Sequence, residues 1–239
     1  MLKRSVQAHT GLSVKAGCKV LVIAPHMDDE VLGCGGAIVK HSREKHTKVW
    51  VVFVAGRVYN HNFNAAACTT QKKHALKACK TLGYEQAYFL DLADERLDAS
   101  IQDIIIPLEQ LVKKLSPDTV YIPFRGDNNQ DHRAVFDAAR VVVRPAAASG
   151  IRTVYMYEIP SSTEQSPPLF ENAFLPNYYV NITPFMETKI RAFSHYTMEQ
   201  RAFPHPRSKK ALRVLAAKRG SEAGCPFAEA FMLVRSIWI

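Results

Sequence analysis

Two hydrophobic patterns alternate along the first two thirds of this 239-residue chain. Residues 20–24 and 49–54 are short, almost continuously apolar and rich in β-branched side chains. They lack the alternation of a half-exposed strand, so they predict strands covered on both faces, as in a parallel sheet. Residues 87–90, 119–122 and 153–157 predict three more strands. Between them, apolar residues recur at helical spacing. One such face carries Ala75, Ala78, Cys79 and Leu82, and another carries Val135, Ala138, Ala139 and Val142. A third runs through Ile101, Ile104, Ile105, Leu108, Leu111, Val112 and Leu115, with Pro107 inside it as a possible kink. The alternation predicts a three-layer α/β domain, a mostly parallel sheet with helices on both faces and right-handed crossovers.

After residue 158 the regularity fades. Residues 159–168 form a loop, 178–182 a candidate strand, and 184–196 a helix with Pro184 in its first turn. A short basic helix follows at 209–219, then a final strand at 228–234. No repeat or boundary divides the chain, so residues 1–239 are read as one domain, with 159–239 contributing to a substrate cleft.

The chemistry gathers where strands run into helices. The first strand leads directly into Pro25, His26, Met27, Asp28, Asp29 and Glu30. In a parallel α/β sheet, ligands bind where strand C-termini open onto helix N-termini. One imidazole and three carboxylates at such a place repel one another unless a cation or hydrogen bonds offset the charge, although Asp28 also suits a helix N-cap. The strand at 119–122 ends the same way, in a segment containing Arg125, Asn129, Asp131 and His132. Both junctions open on one sheet edge, so His132 completes a two-histidine, one-carboxylate set with His26 and Asp29. Three protein ligands and an open position are the composition of a catalytic zinc site, and the same donors suit ferrous iron.

The stretch from Pro25 to Glu30 resembles the A-H-P-D-D-E motif of the PIG-L/LmbE-like family of metal-dependent N-deacetylases. Asp131-His132-Arg133 resembles that family's downstream metal histidine, and the segment 206–208 also fits. The resemblance implies an LmbE-like, Rossmann-like fold and removal of an N-acetyl group from an amino sugar. It implies His26, Asp29 and His132 as zinc ligands and Asp28 as the base. Met27 stands where the family has proline, and Asn129 where many members have a second histidine.

Amide hydrolysis needs a strong nucleophile, stabilisation of the oxyanion and a proton for the departing amine. Asp28 suits the proton transfers. The oxyanion partner is the metal alone, Asn129, or His205, which prolines on both sides hold in an extended segment. Glu30 and Asp131 are expected to support the ligands from behind. Arg57, just after the second strand, together with Arg125 and Arg207, is a candidate for binding a substrate hydroxyl or phosphate. His41, His46, His61, His74 and His195 are expected at the surface or in packing.

Composition narrows the setting. A 47% hydrophobic and 22% charged chain is an ordinary globular protein, and no apolar run reaches the length of a membrane span. The N-terminus has no signal-peptide core, and five cysteines without a C-x-x-C pair suggest reduced thiols in a cytoplasmic protein. The net charge of +9 fits an anionic carrier such as a nucleotide-sugar or phospholipid, although Lys72, Lys73, Lys77 and Lys80 read as a solvated helix face. The expected partner is therefore an acetylated amino-sugar substrate, small or lipid-linked, with no nucleic acid; a homo-oligomer is compatible with the chain. The alternatives are an esterase or other amidase at the same site, and a basic nucleic-acid or lipid-surface binding protein.

Overall fold

The computed structural model describes residues 17–57, 65–145 and 150–238; of Arg57 only the backbone is described. Seven strands form one sheet in the order β3-β2-β1-β4-β5-β7-β6. The five strands expected from the apolar runs are β1 (Lys19–Ala24), β2 (Lys48–Arg57), β3 (Gln86–Ala93), β4 (Thr119–Pro123) and β5 (Thr153–Tyr157), all mutually parallel. β6 (Tyr178–Asn181) and β7 (Ala228–Ser236) extend the sheet, and β7 runs antiparallel to both of its neighbours. Together with six helices they make the three-layer α/β fold that the alternation implies.

The strand period of two divides the core into two layers. Val20, Val22 and Ala24 of β1 point to one face, while Leu21 and Ile23 point to the other. The first layer is covered by α1 (Asp29–Arg43), α2 (Ala65–Leu82), α5 (Met186–Phe193) and α6 (Lys209–Ala223). The second is covered by α3 (Gln102–Leu115) and α4 (Gln130–Val142). α3 buries Ile104, Ile105, Leu108, Leu111, Val112 and Leu115, the face its spacing marks, and continues through Pro107. At about 1.5–3 kcal/mol per buried aliphatic side chain, this face is what fixes α3 to the sheet. Residues 184–196 form a shorter helix than their pattern suggests, a single 3-10 turn at Thr183–Phe185 followed by α5.

β1 pairs with β2 on one side and β4 on the other. The chain winds outward from β1 in both directions, so the crevice between the ends of β1 and β4 is the topological switch point. His26 follows β1, and His132 lies in the first turn of α4 after β4. Among the described residues, no helix is long and apolar enough to cross a membrane.

Candidate active site

Three donor atoms meet at the switch point. His26 Nδ1 lies 3.2 Å from Asp29 Oδ2 and 3.2 Å from His132 Nε2, and His132 Nε2 lies 3.4 Å from Asp29 Oδ2. Tetrahedral coordination at about 2.0–2.1 Å places donors roughly 3.3 Å apart, so these atoms form one face of a tetrahedral site. Asp29 Oδ1 is buried with no hydrogen-bond partner among the described residues. A buried carboxylate with an orphaned oxygen is costly unless something positive faces it. The donors fit a divalent ion such as zinc.

Each imidazole is held from behind. His132 Nδ1 lies 3.0 Å from Asp127 Oδ1, and Asp127 accepts from Ser162 Oγ, from Thr163 Oγ1 at 2.6 Å and from the Asn129 N–H at 2.9 Å. His26 Nε2 faces Asp94 Oδ1 at 3.0 Å and Asp131 Oδ2 at 3.1 Å. Asp131 is itself fixed by the N–H groups of Glu95 and Leu97 at 2.7 and 3.1 Å. Carboxylate contacts of this kind set the tautomer and ring orientation of ligating histidines. Burial opposes protonation of both rings, but the carboxylates outweigh it and raise the pKa of each. Burial also disfavours the Asp29 anion, yet His132 and His26 hold its carboxyl well below the usual range. A potential this negative favours a cation.

Asp28 precedes α1 with φ at 144°, a conformation that L-residues rarely adopt. It is buried, and burial pushes its carboxyl up to about 8 while Arg207 works in the opposite direction. Arg207 Nη1 lies 3.4 Å from Asp28 Oδ2, a charge contact without a directed hydrogen bond. The same guanidinium donates to Glu199 Oε2 at 2.8 Å and to Ser161 Oγ at 2.8 Å, and Gln71 Nε2 donates to Glu199 at 2.7 Å. His26, Asp28, Asn129 and Arg207 all border a cavity of about 460 Å³. Its size lies within the range of small-ligand sites.

Asn129 caps α4: its Oδ1 accepts from the Asp131 N–H at 2.8 Å. That bond fixes the orientation of the amide, since only the oxygen can accept, and leaves Nδ2 as its uncommitted end.

Several of the expected site residues lie away from the cavity or face other partners. The segment around His205 is a run of turns, with the Ser208 N–H bonded to the His205 carbonyl at 2.9 Å. His205 is exposed there, accepts from the Arg207 N–H at 3.0 Å through Nδ1, and is not among the cavity-lining residues. Arg125 is likewise exposed and outside the cavity lining. Glu30 touches neither imidazole; its carboxylate accepts from the Asp28 N–H and the Tyr196 hydroxyl. Arg207 reaches the cavity, with Nε bonded to Ser161 and Nη1 to Glu199. The side chain of Arg57 and all of His61 lie outside the described residues.

The remaining histidines pack. His41 Nε2 meets Tyr121 Oη at 3.0 Å, His195 Nε2 meets Thr81 Oγ1 at 2.8 Å, and His74 stands edge-on to the Tyr196 ring. His46 is exposed in a turn. Asp94, Asp127, Tyr196 and Glu199 belong to the site without having been marked by the sequence motifs. A signal existed for Asp127, which sits five residues before His132 in the same junction, and for Asp94, just past the end of β3.

A doubly wound sheet with imidazoles and perturbed carboxylates gathered at its switch point is the layout of an enzyme. The chain belongs to the PIG-L family: residues 21–143 match the family model described as GlcNAc-PI de-N-acetylase. It is a hydrolase of the deacetylase type. It is 30% identical to the uncharacterized deacetylase YaiS of Escherichia coli K12 over 148 residues, covering 60% of this chain and 75% of that protein. It is 25% identical to the diacetylchitobiose deacetylase of Thermococcus kodakarensis over 238 residues, covering 92% of this chain and 85% of that one. Among solved structures, the 4-carboxy-2-hydroxymuconate hydratase GalB of Pseudomonas putida KT2440 superposes with a TM-score of 0.75 at 20% identity, over 93% of this chain and 98% of that one. That likeness shows the fold alone.

Proposed function

We propose that this protein is a metal-dependent N-deacetylase that removes the acetyl group from an amino-sugar-containing substrate: an N-acetylglucosamine-type sugar, a glycolipid, a nucleotide-sugar or a polysaccharide intermediate. The observation that carries the reading is the tetrahedral face formed by His26, Asp29 and His132, with the buried Asp28 carboxyl beside it on one cavity. His26, Asp29 and His132 would hold zinc, with ferrous iron as the other ion suited to these donors. When bound, such an ion supplies Lewis-acid polarisation of a carbonyl and lowers the pKa of water near it.

The chain's own residues handle the protons. Asp28 accepts a proton from the attacking water and returns it to the nitrogen as the C–N bond breaks, so one carboxyl serves as base and then as acid. Burial raises this carboxyl, and a cation held beside it by Asp29 would draw it back down, so both of its protonation states come within reach near neutrality. Arg207 keeps the anionic form from being prohibitively costly. The Nδ2 of Asn129 donates to the developing oxyanion. The likeness to the diacetylchitobiose deacetylase of Thermococcus kodakarensis supports an N-acetylated sugar as the substrate class.

The test is an assay for free amine and acetate with purified protein loaded with zinc or ferrous iron. N-acetylglucosamine, diacetylchitobiose, nucleotide-linked and lipid-linked N-acetyl sugars form the panel, with O-acetyl sugars beside them. Release of amine and acetate together is expected from at least one N-acetyl sugar. Release from O-acetyl sugars only would make the enzyme an esterase, and no release from metal-loaded protein would overturn the reading.

A further inference from the structure

Asp28 sits in a backbone conformation that its own side chain does nothing to stabilise. Its φ of 144° and ψ of −23° lie outside the regions L-residues favour, and its side chain makes no capping bond to α1. Strained positions persist only where the surroundings over-determine them. Here the Asp28 carbonyl accepts the N–H groups of Val31 and Leu32 at 2.9 Å each, as the start of α1 requires, and the Asp28 N–H is held by one carboxylate. Glu30 Oε2 accepts the Asp28 N–H at 3.2 Å, and Glu30 Oε1 accepts the Tyr196 hydroxyl at 2.6 Å. Glu30 and Tyr196 are both fully buried at 0% exposure, so no water competes for these bonds.

Tyr196 is anchored independently of α1. It lies just past α5, with its N–H bonded to the Phe193 carbonyl at 3.0 Å and its ring edge-on to His74 of α2. The peptide plane entering Asp28 is thus referred to a tyrosine just past α5, packed within the first core layer.

We propose that Tyr196, acting through Glu30, is a positioning residue for Asp28: it holds the carboxylate so that the Asp28 N–H, and with it the direction of the Asp28 side chain, cannot relax. Tyr196 is not among the residues lining the cavity, so it contacts no substrate. The proposal rests on the reading of Asp28 as the base.

Three clamp variants, Tyr196→Phe, Glu30→Gln and Glu30→Ala, and one control test it. Tyr196→Phe removes only the hydroxyl. Glu30→Gln keeps an acceptor for the Asp28 N–H and offers an amide to the tyrosine oxygen. Thr81→Val removes the neighbouring bond to His195 at the same junction of α2 with the segment after α5, and leaves the clamp intact. Misplacing a reacting group by about 1 Å costs on the order of 100-fold, so Tyr196→Phe is expected to lower kcat by roughly 10- to 100-fold with KM and bound metal unchanged. Glu30→Gln should rescue most of the activity that Glu30→Ala loses. Thr81→Val should lower Tm without a matching loss of kcat.

Amide hydrogen exchange at Asp28, measured without substrate, should accelerate in Tyr196→Phe and not in Thr81→Val. An unchanged kcat and unchanged Asp28 exchange in folded Tyr196→Phe, or an equal loss of kcat in Thr81→Val, would overturn the clamp. Failure of the wild-type enzyme to deacetylate any sugar would instead overturn the functional reading, and the exchange measurement would still judge the clamp.

Discussion

His132 Nδ1 lies 3.0 Å from Oδ1 of Asp127, five residues earlier on the same strand-to-helix junction, and this contact decides which nitrogen of the ring faces His26 and Asp29. Asp127→Asn places an amide where a carboxylate received the imidazole N–H. Metal affinity is expected to fall about 10- to 100-fold, as is usual when the carboxylate behind a ligating histidine is removed. Competition against a chelator of known affinity measures it. Unchanged affinity would show that the contact does not tune the ring.

The two histidines and the base should separate cleanly. Asp28→Asn is expected to retain metal and lose turnover by about 100-fold or more, since only proton transfer is lost. His132→Ala should lose metal and activity together. Metal content by elemental analysis, beside initial rates, distinguishes the two; an active Asp28→Asn would remove Asp28 from its role.

The cap that Asn129 forms and the oxyanion role proposed for it can be parted by different substitutions. Asp and Gly are both serviceable helix caps, so Asn129→Asp and Asn129→Gly should leave Tm close to that of the wild type. Both delete the amide donor, and loss of one oxyanion donor costs roughly 100- to 1000-fold in kcat. If kcat survived in both variants, Asn129 would be a cap and nothing more.

Lys189 and Glu229 form a closed ion pair beneath α1, 2.6 Å apart, with Lys189 Nζ also donating to the Leu32 carbonyl and Glu229 accepting the N–H groups of Gly36 and Ala37. Lys189→Met strands that carboxylate away from water and should destabilise the fold by about 3–5 kcal/mol. Urea denaturation reads this directly, and a loss well below 1 kcal/mol would show that the carboxyl is protonated or rehydrated instead.

The acid limb of stability has a local source on α6. Hydrogen bonds from Lys218, and behind it Arg219, bring Glu222 down from 4.5 to about 2. A carboxyl depressed in the folded state adds stability above its unfolded pKa and loses it as pH falls through the folded value. Glu222→Gln should therefore lower the neutral plateau slightly, because the pair is solvent-screened, and flatten the decline in denaturation midpoint between about pH 4.5 and about pH 2.

The parallel half of the molecule was legible because burial on both faces leaves uninterrupted apolar runs, and the candidate metal cluster because two such runs lead into junctions that carry histidine and aspartate. The antiparallel return of β7 was not, since strand direction leaves no mark on the side-chain pattern of a nine-residue strand. The turns around His205 were not legible either, because two flanking prolines suit a turn as well as an extended segment. Glu199 and Tyr196 reach the site from beyond β6, where no motif surrounds them, so only the folded chain brings them beside Asp28.

Asp28 also pays twice for its position. Its φ of 144° suits glycine rather than an L-residue, and one carboxylate oxygen is buried without a hydrogen bond among the described residues. Both features work against folding, the backbone alone by about 1–3 kcal/mol. Selection for robustness and selection for turnover therefore pull this one residue in opposite directions, and a glycine here would give a hardier protein with no chemistry left.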